Sequence, residues 1–285
     1  MHGGIVFMMS YDTLKLEYDS DLATLTFNRP DKRNAISPRM IEELLVALDE
    51  VENSQTRVVI LTGAGKAFCA GMDLEALQAL AEESRHSLLE SKGPQDALAH
   101  SSEAHLVDSR RTASMFRRIY AFPKPVIAAV NGPAVAGGCG IATVCDYTLA
   151  VPGAKFGYTE TRIGFIPALV SVFLVRQIGE KRARDLLLSG RLFDAEEARQ
   201  MGLVNEVVPE ERLMARSRQL ATSLLEASPT SLRCIKRLLA DFSQKQLDHE
   251  LETAVYENAR IRSTADFREG LSAFLEKRQP HWPGR

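Results

Sequence analysis

Gly65-Lys66-Ala67-Phe68-Cys69-Ala70-Gly71-Met72-Asp73-Leu74 and, further along the chain, Asn131-Gly132-Pro133-Ala134-Val135-Ala136-Gly137-Gly138-Cys139-Gly140 share one plan. Each follows an apolar, strand-like run, residues 58–61 or 126–130, and each leads into a helix-like run. A glycine-bearing turn of this kind presents backbone N–H groups at a helix N-terminus, where developing negative charge is stabilised. Two such donors converging on one carbonyl oxygen would make an oxyanion hole.

On the N-terminal side, residues 14–18 and 23–27 alternate in hydrophobicity around Asp19-Ser20-Asp21 and read as a hairpin, ended by Asn28-Arg29-Pro30. Ser37 is placed as an N-cap with Pro38 at the first helical position. Met40, Leu44, Leu45, Leu48 and Val51 then form an apolar stripe. Between the two glycine turns, residues 74–122 are long and polar in the middle. They carry Lys92-Gly93-Pro94 and predict two or more helices with a mobile connection.

Beyond the second turn we expect a helix from about Gly137, a strand over 147–151 and a short strand or turn over 155–160. Helices follow over 168–178, 180–189 and 195–201, with a last short strand over 203–208, closed by Pro209. After Pro209 the runs 210–226, 229–243, 244–262 and 266–277 are all helix-like. The organisation is therefore an α/β core over residues 10–208 and a helical domain over 209–285. Residues 1–9 have a short apolar part, no basic n-region and no long h-region, and are expected to be a disordered leader, with Met8 or Met9 as a possible start.

At 285 residues the chain can bury a sizeable core, and a formal net charge of -2 gives no reason to expect nucleic acid or an anionic membrane surface as a partner. No stretch approaches the roughly 18 apolar residues of a membrane span, so the cytoplasm is the default compartment. Cys69, Cys139, Cys145 and Cys234 include no C-x-x-C pair and read as buried reduced thiols. The histidines form no H-E-x-x-H pattern, so no metal site is expected.

Three other chemistries fail on particular residues. Gly63-Ala64-Gly65-Lys66 is not a Walker A loop, because Ile60 holds the first glycine position and Ala67 replaces the Mg²⁺-binding hydroxyl. Phe68 stands where the third glycine of a dinucleotide fingerprint belongs. Tyr120 and Lys124 match a Tyr-x-x-x-Lys dehydrogenase pair, but Pro123 and Pro125 interrupt the helix that would put both on one face. There is no G-x-S-x-G elbow for a serine hydrolase.

Five ordered stretches between residues 28 and 160 resemble the enoyl-CoA hydratase/isomerase (crotonase) superfamily, and the similarity covers nearly the whole chain, from the hairpin at Leu14 to Lys277. Residues 28–35, Asn-Arg-Pro-Asp-Lys-Arg-Asn-Ala, are similar to its N-R-P-x-x-x-N-A stretch, and residues 67–74 to its A-F-x-A-G-x-D-[IL] signature. Residues 124–132 match K-P-[VI]-I-A-A-[VI]-x-G; Gly137-Gly138 with Cys145-Asp146, then Phe156-Gly157-Tyr158-Thr159-Glu160, complete the set. The resemblance implies a spiral of ββα units with a C-terminal helical domain that builds homotrimers, often paired into hexamers. It implies an acyl-CoA ligand, with coenzyme A as part of the substrate and no separate cofactor. Its oxyanion hole would be the backbone N–H groups of Met72 and Gly137, and its catalytic acid/base Glu160. Substrate contacts would fall at Lys32, Arg33, Ala35, Ala70, Met72, Asp73, Leu74, Gly137 and Gly138, with Lys32 and Arg33 as candidates for the CoA nucleotide.

One departure matters. Family hydratases usually carry a first glutamate in the helix after the glycines, and that position here is Gly140. The aspartate of dienoyl-CoA isomerases would lie eight residues beyond Glu160, where Ala168 stands, which disfavours that subtype. A single carboxylate suits a Δ3,Δ2-enoyl-CoA isomerase, which moves one proton between two carbons. Hydration remains open if another group helps to hold the water. Residues 161–170 resemble bacterial methylglutaconyl-CoA-type hydratases, which also tend to have glycine at the Gly140 position, and this tips the reading towards hydration. A non-catalytic acyl-CoA-binding homologue is the alternative of another class.

Overall fold

The computed structural model describes residues 8–90, 94–242 and 244–284. Seven strands lie side by side in chain order: β1 (Met8–Ser10), β2 (Leu14–Asp19), β3 (Leu22–Phe27), β4 (Val58–Gly63), β5 (Val126–Val130), β7 (Tyr147–Ala150) and β10 (Glu206–Val207). The first two pairings are antiparallel and the rest parallel. Both β4 and β5 are apolar runs buried along almost their whole length, as parallel strands covered on both faces must be. A smaller sheet holds β6 (Ala134–Val135), β8 (Lys155–Gly157) and β9 (Leu192–Asp194). Two isolated parallel bridges, Ile36 with Met72 and Cys69 with Ala134, extend that second layer. Each turn of the chain thus lays one strand in the large sheet, then a short segment in the second layer, then a helix. That is a spiral.

The helices are α1 (Pro38–Asn53), α2 (Leu74–Glu90), α3 (Pro94–Tyr120), α4 (Gly137–Val144), α5 (Ala168–Ile178), α6 (Glu180–Ser189), α7 (Ala195–Met201), α8 (Leu213–Leu225), α9 (Pro229–Asp241), α10 (Gln244–Ile261) and α11 (Ala265–Leu275). In α1 the Ser37 side chain accepts from the Met40 N–H and Pro38 takes the first helical position. Its stripe is buried at Met40, Leu44, Leu48 and Val51, with Leu45 partly covered. The α3 helix ends at Tyr120, and Lys124 lies beyond it, donating through Nζ to Val51 O (2.6 Å) and Ser54 O (3.0 Å) at the C-terminus of α1. No helix among the described residues is long and apolar enough to cross a membrane.

Several expectations need correcting. Met8 and Met9 belong to strand β1, paired with Glu17 and Leu16, so this part of the stretch expected to be a disordered leader is a strand, while residues 1–7 lie outside the described residues. Two adjacent methionines in a short apolar run carry no strand period, which hid this edge. Lys92 and Gly93, the expected mobile connection, lie outside the described residues. Strands β6 and β9 went unseen because two or three residues show no alternation.

The tail after Pro209 is not a separate layer. Leu213 and Ala221 of α8 and Leu247, Leu251 and Val255 of α10 join the same hydrophobic core as the sheet. Only α9 buries none of its residues, and for that reason Cys234, on α9, is exposed while Cys69, Cys139 and Cys145 are buried.

Candidate active site

Two asparagines from the motif stretches hold the first glycine turn in shape. Asn34 donates through Nδ2 to Ala64 O (2.9 Å) and Ala67 O (2.8 Å), while its Oδ1 accepts from Arg29 N–H (2.9 Å). Asn131 accepts from Gly63 N–H (3.1 Å) and donates to Gly63 O (2.9 Å) and Gly65 O (3.0 Å). The second turn is laced to the first. Phe68 and Cys69 N–H donate to Pro133 O, and Val135 N–H donates to Cys69 O. These side chains satisfy a loop that would otherwise leave buried carbonyls bare.

The resulting geometry brings the two predicted donors together. Gly71 has φ +93°, and a Cβ built on it would lie 2.8 Å from Ala136 Cβ and 3.5 Å from Gly137 N. The hydrogen bonds around the pair are accounted for: Ile36 N–H to Gly71 O, Asp73 N–H to Ile36 O, Ala136 N–H to Gly157 O and Gly140 N–H to Ala136 O. The N–H groups of Met72 and Gly137 have no acceptor among the described residues. Gly137 opens α4, so the helix end adds its own positive potential. Immediately before it, Ala136 sits at φ 51°, ψ −123°, a conformation that an L side chain rarely adopts. Strain of this sort, of order 1–3 kcal/mol, persists only where neighbours over-determine it.

Met72, Gly137 and Glu160 line one cavity of about 510 Å³. Glu160 opens a short 3-10 turn after β8, with its backbone O accepting from Phe165 N–H. Its side chain is buried, Oε2 has no hydrogen-bond partner, and burial pushes the carboxyl up to about 7. Among the described residues it is the only carboxylate on the cavity wall. A group that is half protonated near neutrality serves as both base and acid.

The other predicted contact residues divide. Arg33, Ala70 and Leu74 line the cavity with Met72 and Gly137. Lys32 does not; it is paired with Glu75 at 2.7 Å on the exposed surface. Asp73 caps α2, accepting from Glu75 and Ala76 N–H, and pairs with Arg29 at 2.8 Å. Ala35 offers its carbonyl to Arg29 Nη1 at 2.6 Å. Gly138 is a packing glycine, since a Cβ there would meet Cys69 O at 2.2 Å. Asp73, Ala35 and Gly138 thus shape the turns from behind the cavity.

Gly140 shows why the first glutamate is absent. A Cβ at that position would lie 2.2 Å from Val170 Cγ1 and 2.9 Å from Phe116 Cε1, so both apolar groups already occupy the space. Phe116, Val170, Thr112, Asn258 and Phe274 all line the cavity and were not singled out from sequence. They come from α3, α5, α10 and α11, brought together only by tertiary packing, and nothing local marks them.

A model of the enoyl-CoA hydratase/isomerase family matches residues 17–107 and 94–285. The chain is 43% identical to a putative enoyl-CoA hydratase of Thermus thermophilus, over 92% of this chain and 97% of that one. It is 34% identical to the 1,2-epoxyphenylacetyl-CoA isomerase of Escherichia coli, over 94% and 97%. Among solved structures, an enoyl-CoA hydratase from Mycobacterium avium superposes with a TM-score of 0.79 at 30% identity, covering 95% of this chain and 99% of that one. With the spiral fold, the family match over nearly the whole chain and relatives above 30% identity, the chain is an enzyme of the enoyl-CoA hydratase/isomerase family.

Proposed function

We propose that the protein adds water across the double bond of a 2-enoyl-CoA thioester, with Glu160 as its single acid/base. The observation that carries this reading is the unpartnered Oε2 of Glu160 in the same cavity as the free N–H groups of Met72 and Gly137. Water would bond through oxygen to C3 while Glu160 takes its proton and the double-bond electrons move onto the thioester oxygen. That oxyanion would accept from Met72 and Gly137. Glu160 would then return the proton to C2 as the carbonyl re-forms. Arg33 and Lys66, both on the cavity wall, supply positive charge for the CoA phosphates. No cofactor beyond the substrate's own coenzyme A enters this scheme.

A second reading rests on Val170 and Phe116. By filling the place of a second carboxylate they leave water with one holder, and proton shuttling by Glu160 from C2 to C4 of a 3-enoyl-CoA needs no water at all. Turnover of 2-enoyl-CoA and 3-enoyl-CoA in ¹⁸O-water separates the two. Hydration puts ¹⁸O into the 3-hydroxyacyl product; isomerisation moves the double bond and incorporates none. A protein that does only the latter overturns the hydratase reading.

We also propose a homotrimer or homohexamer. Ile235, Leu238 and Leu239 of α9 are each more than half exposed, and Phe242 at its end is 74% exposed. An apolar face of this kind on a surface helix marks a contact site. Light scattering at micromolar concentration should give a trimer or hexamer, and a monomer contradicts it.

A further inference from the structure

Behind the cavity, between α3 and α10, lies a cluster of polar groups with no part in the chemistry above. Arg262, 5% exposed, donates through Nη1 to Asp108 Oδ2 (2.8 Å) and through Nη2 to Asn258 Oδ1 (3.1 Å). Ser109 Oγ donates to the same Asn258 Oδ1 at 2.9 Å. The Arg262 guanidinium also sits over the ring of Phe165, itself a cavity residue, at 5.5 Å.

This arrangement fixes the amide of Asn258. A guanidinium can only donate, so the oxygen of Asn258 must face Arg262 and its nitrogen must face away. Asn258 is 5% exposed and lines the cavity, yet its Nδ2 donates to nothing among the described residues. Unlike Glu160 Oε2, this NH₂ group is not sealed off, so it stands as an unused donor open to an acceptor on a bound acyl chain. Thr112, its polar neighbour on the wall, already gives its hydroxyl hydrogen to Asp108 O at 3.0 Å. The charge of Arg262 is offset by Asp108 at 2.8 Å, so no spare cation backs the amide. The acceptor that fits is therefore neutral.

We infer that the cavity selects an acyl chain bearing a neutral acceptor oxygen, a ketone or hydroxyl, away from the thioester, and that Asn258 Nδ2 is the donor that reads it. Asn258 takes its own hydrogen bonds from α3 and from Arg262 just after α10, not from the glycine turns or the Glu160 turn, so this contact is separate from the reacting carbons. The inference rests on the acyl-CoA reading of the cavity. It specifies which acyl groups that cavity holds. A site built around a hydrogen bond rejects the analogue lacking the partner strongly, because the donor is then left bare.

The test is equilibrium binding of hexanoyl-CoA against its 4-oxo and 5-oxo analogues, all saturated at C2–C3 so that no turnover intervenes. We expect one oxo analogue to bind about ten-fold or more tightly than hexanoyl-CoA. Asn258→Asp keeps an oxygen for Ser109 and Arg262 but replaces the donor by an acceptor, and should erase or reverse that preference. Asn258→Leu, which removes both the donor and the oxygen bonded by Ser109 and Arg262, should erase the preference as well. Equal binding of all three ligands by the parent protein overturns the inference, as does a preference that survives Asn258→Asp. Turnover of crotonyl-CoA tests the underlying reading separately. Turnover without an oxo preference sinks only the inference, and an oxo preference without turnover of any enoyl-CoA sinks only the proposed reaction.

Discussion

The floor of the cavity and its far wall are built by opposite means. The floor, residues 63–74 and 131–140, is two neighbouring turns held by backbone hydrogen bonds and by Asn34 and Asn131, with the reactive donors supplied by the main chain. The wall, with Thr112, Phe116, Val170, Asn258 and Phe274, is side chains from four helices that meet only in the folded molecule. On the proposed reading, chemistry is fixed by local chain geometry, and choice of acyl group by distant packing. Substitutions on the floor should therefore change rate, and substitutions on the wall should change which substrate is held.

The largest effect is expected at Glu160, the one carboxylate on the cavity wall among the described residues. Glu160→Gln should lower kcat by about 10²–10⁴-fold, the usual range for loss of a general acid/base. In the parent protein, the rate limited by its base form should rise as pH passes through about 7, and the mutant should lack that inflection. Stability should shift too. Burial raises the folded carboxyl from the ordinary 4.5 of a glutamate to about 7, so the native state binds the extra proton between those values and stability falls as pH rises across that window. Removing the charge should then stabilise the protein by about 2–3 kcal/mol at pH 8 and hardly at all at pH 4. A mutant with half the parent's activity would break the assignment of Glu160.

Next comes Gly71. Gly71→Ala forces a side chain into φ +93° and against Ala136 Cβ, so it should displace the Met72 amide. Losing one oxyanion donor slows kcat by about 10²–10³-fold, and thermal unfolding should show a loss of about 2 kcal/mol or more. Near-normal kcat in this mutant would mean that the turn does not carry a donor.

Gly140 tests the boundary between floor and wall. Gly140→Glu should destabilise the fold by about 1–3 kcal/mol through overpacking against Val170 and Phe116. Adding Val170→Ala should recover part of that stability, and only in the double mutant should the ratio of hydration to isomerisation rise. If the single mutant is as stable as the parent, then Val170 and Phe116 do not fill the vacated site.

The smallest effect is expected at Ala136. Ala136→Gly removes a Cβ from a positive-φ position and should stabilise by about 1 kcal/mol. It should also loosen the Gly137 amide and slow turnover a few-fold. An unchanged or lowered melting temperature would show that the residue is not strained.

The floor was legible in the sequence because its signals are local. Glycines at fixed offsets, Ser37-Pro38 at the α1 start and apolar runs such as Val126–Val130 each report on residues within a few positions. The identity of Glu160 needed the family resemblance, since one glutamate in a short turn carries no pattern of its own. Ala136 escaped notice because alanine gives no hint of positive φ. Lys32 and Asp73 sit in the right motifs, yet their partners Glu75 and Arg29 are set by folding. The wall was illegible for a plainer reason: Thr112 and Asn258 are far apart in the chain and share no period.

The strands of the large sheet stand in the order in which they occur in the chain, each against its predecessor. Assembly of the spiral can therefore follow the growing chain, one nearest-neighbour addition at a time, as in a solenoid. The cavity cannot. Its wall needs α10 to return to α3 and α5, and α11 to return to the Glu160 turn, where Phe267 packs on Phe165 at 5.2 Å. Those contacts involve α10 and α11, which follow every strand of the large sheet in the chain. Completing the sheet and completing the cavity are thus separate steps on one chain. Loosening from the C-terminus should open the catalytic chamber before the sheet unravels, so α10 and α11 should exchange their amide hydrogens well ahead of β4 and β5.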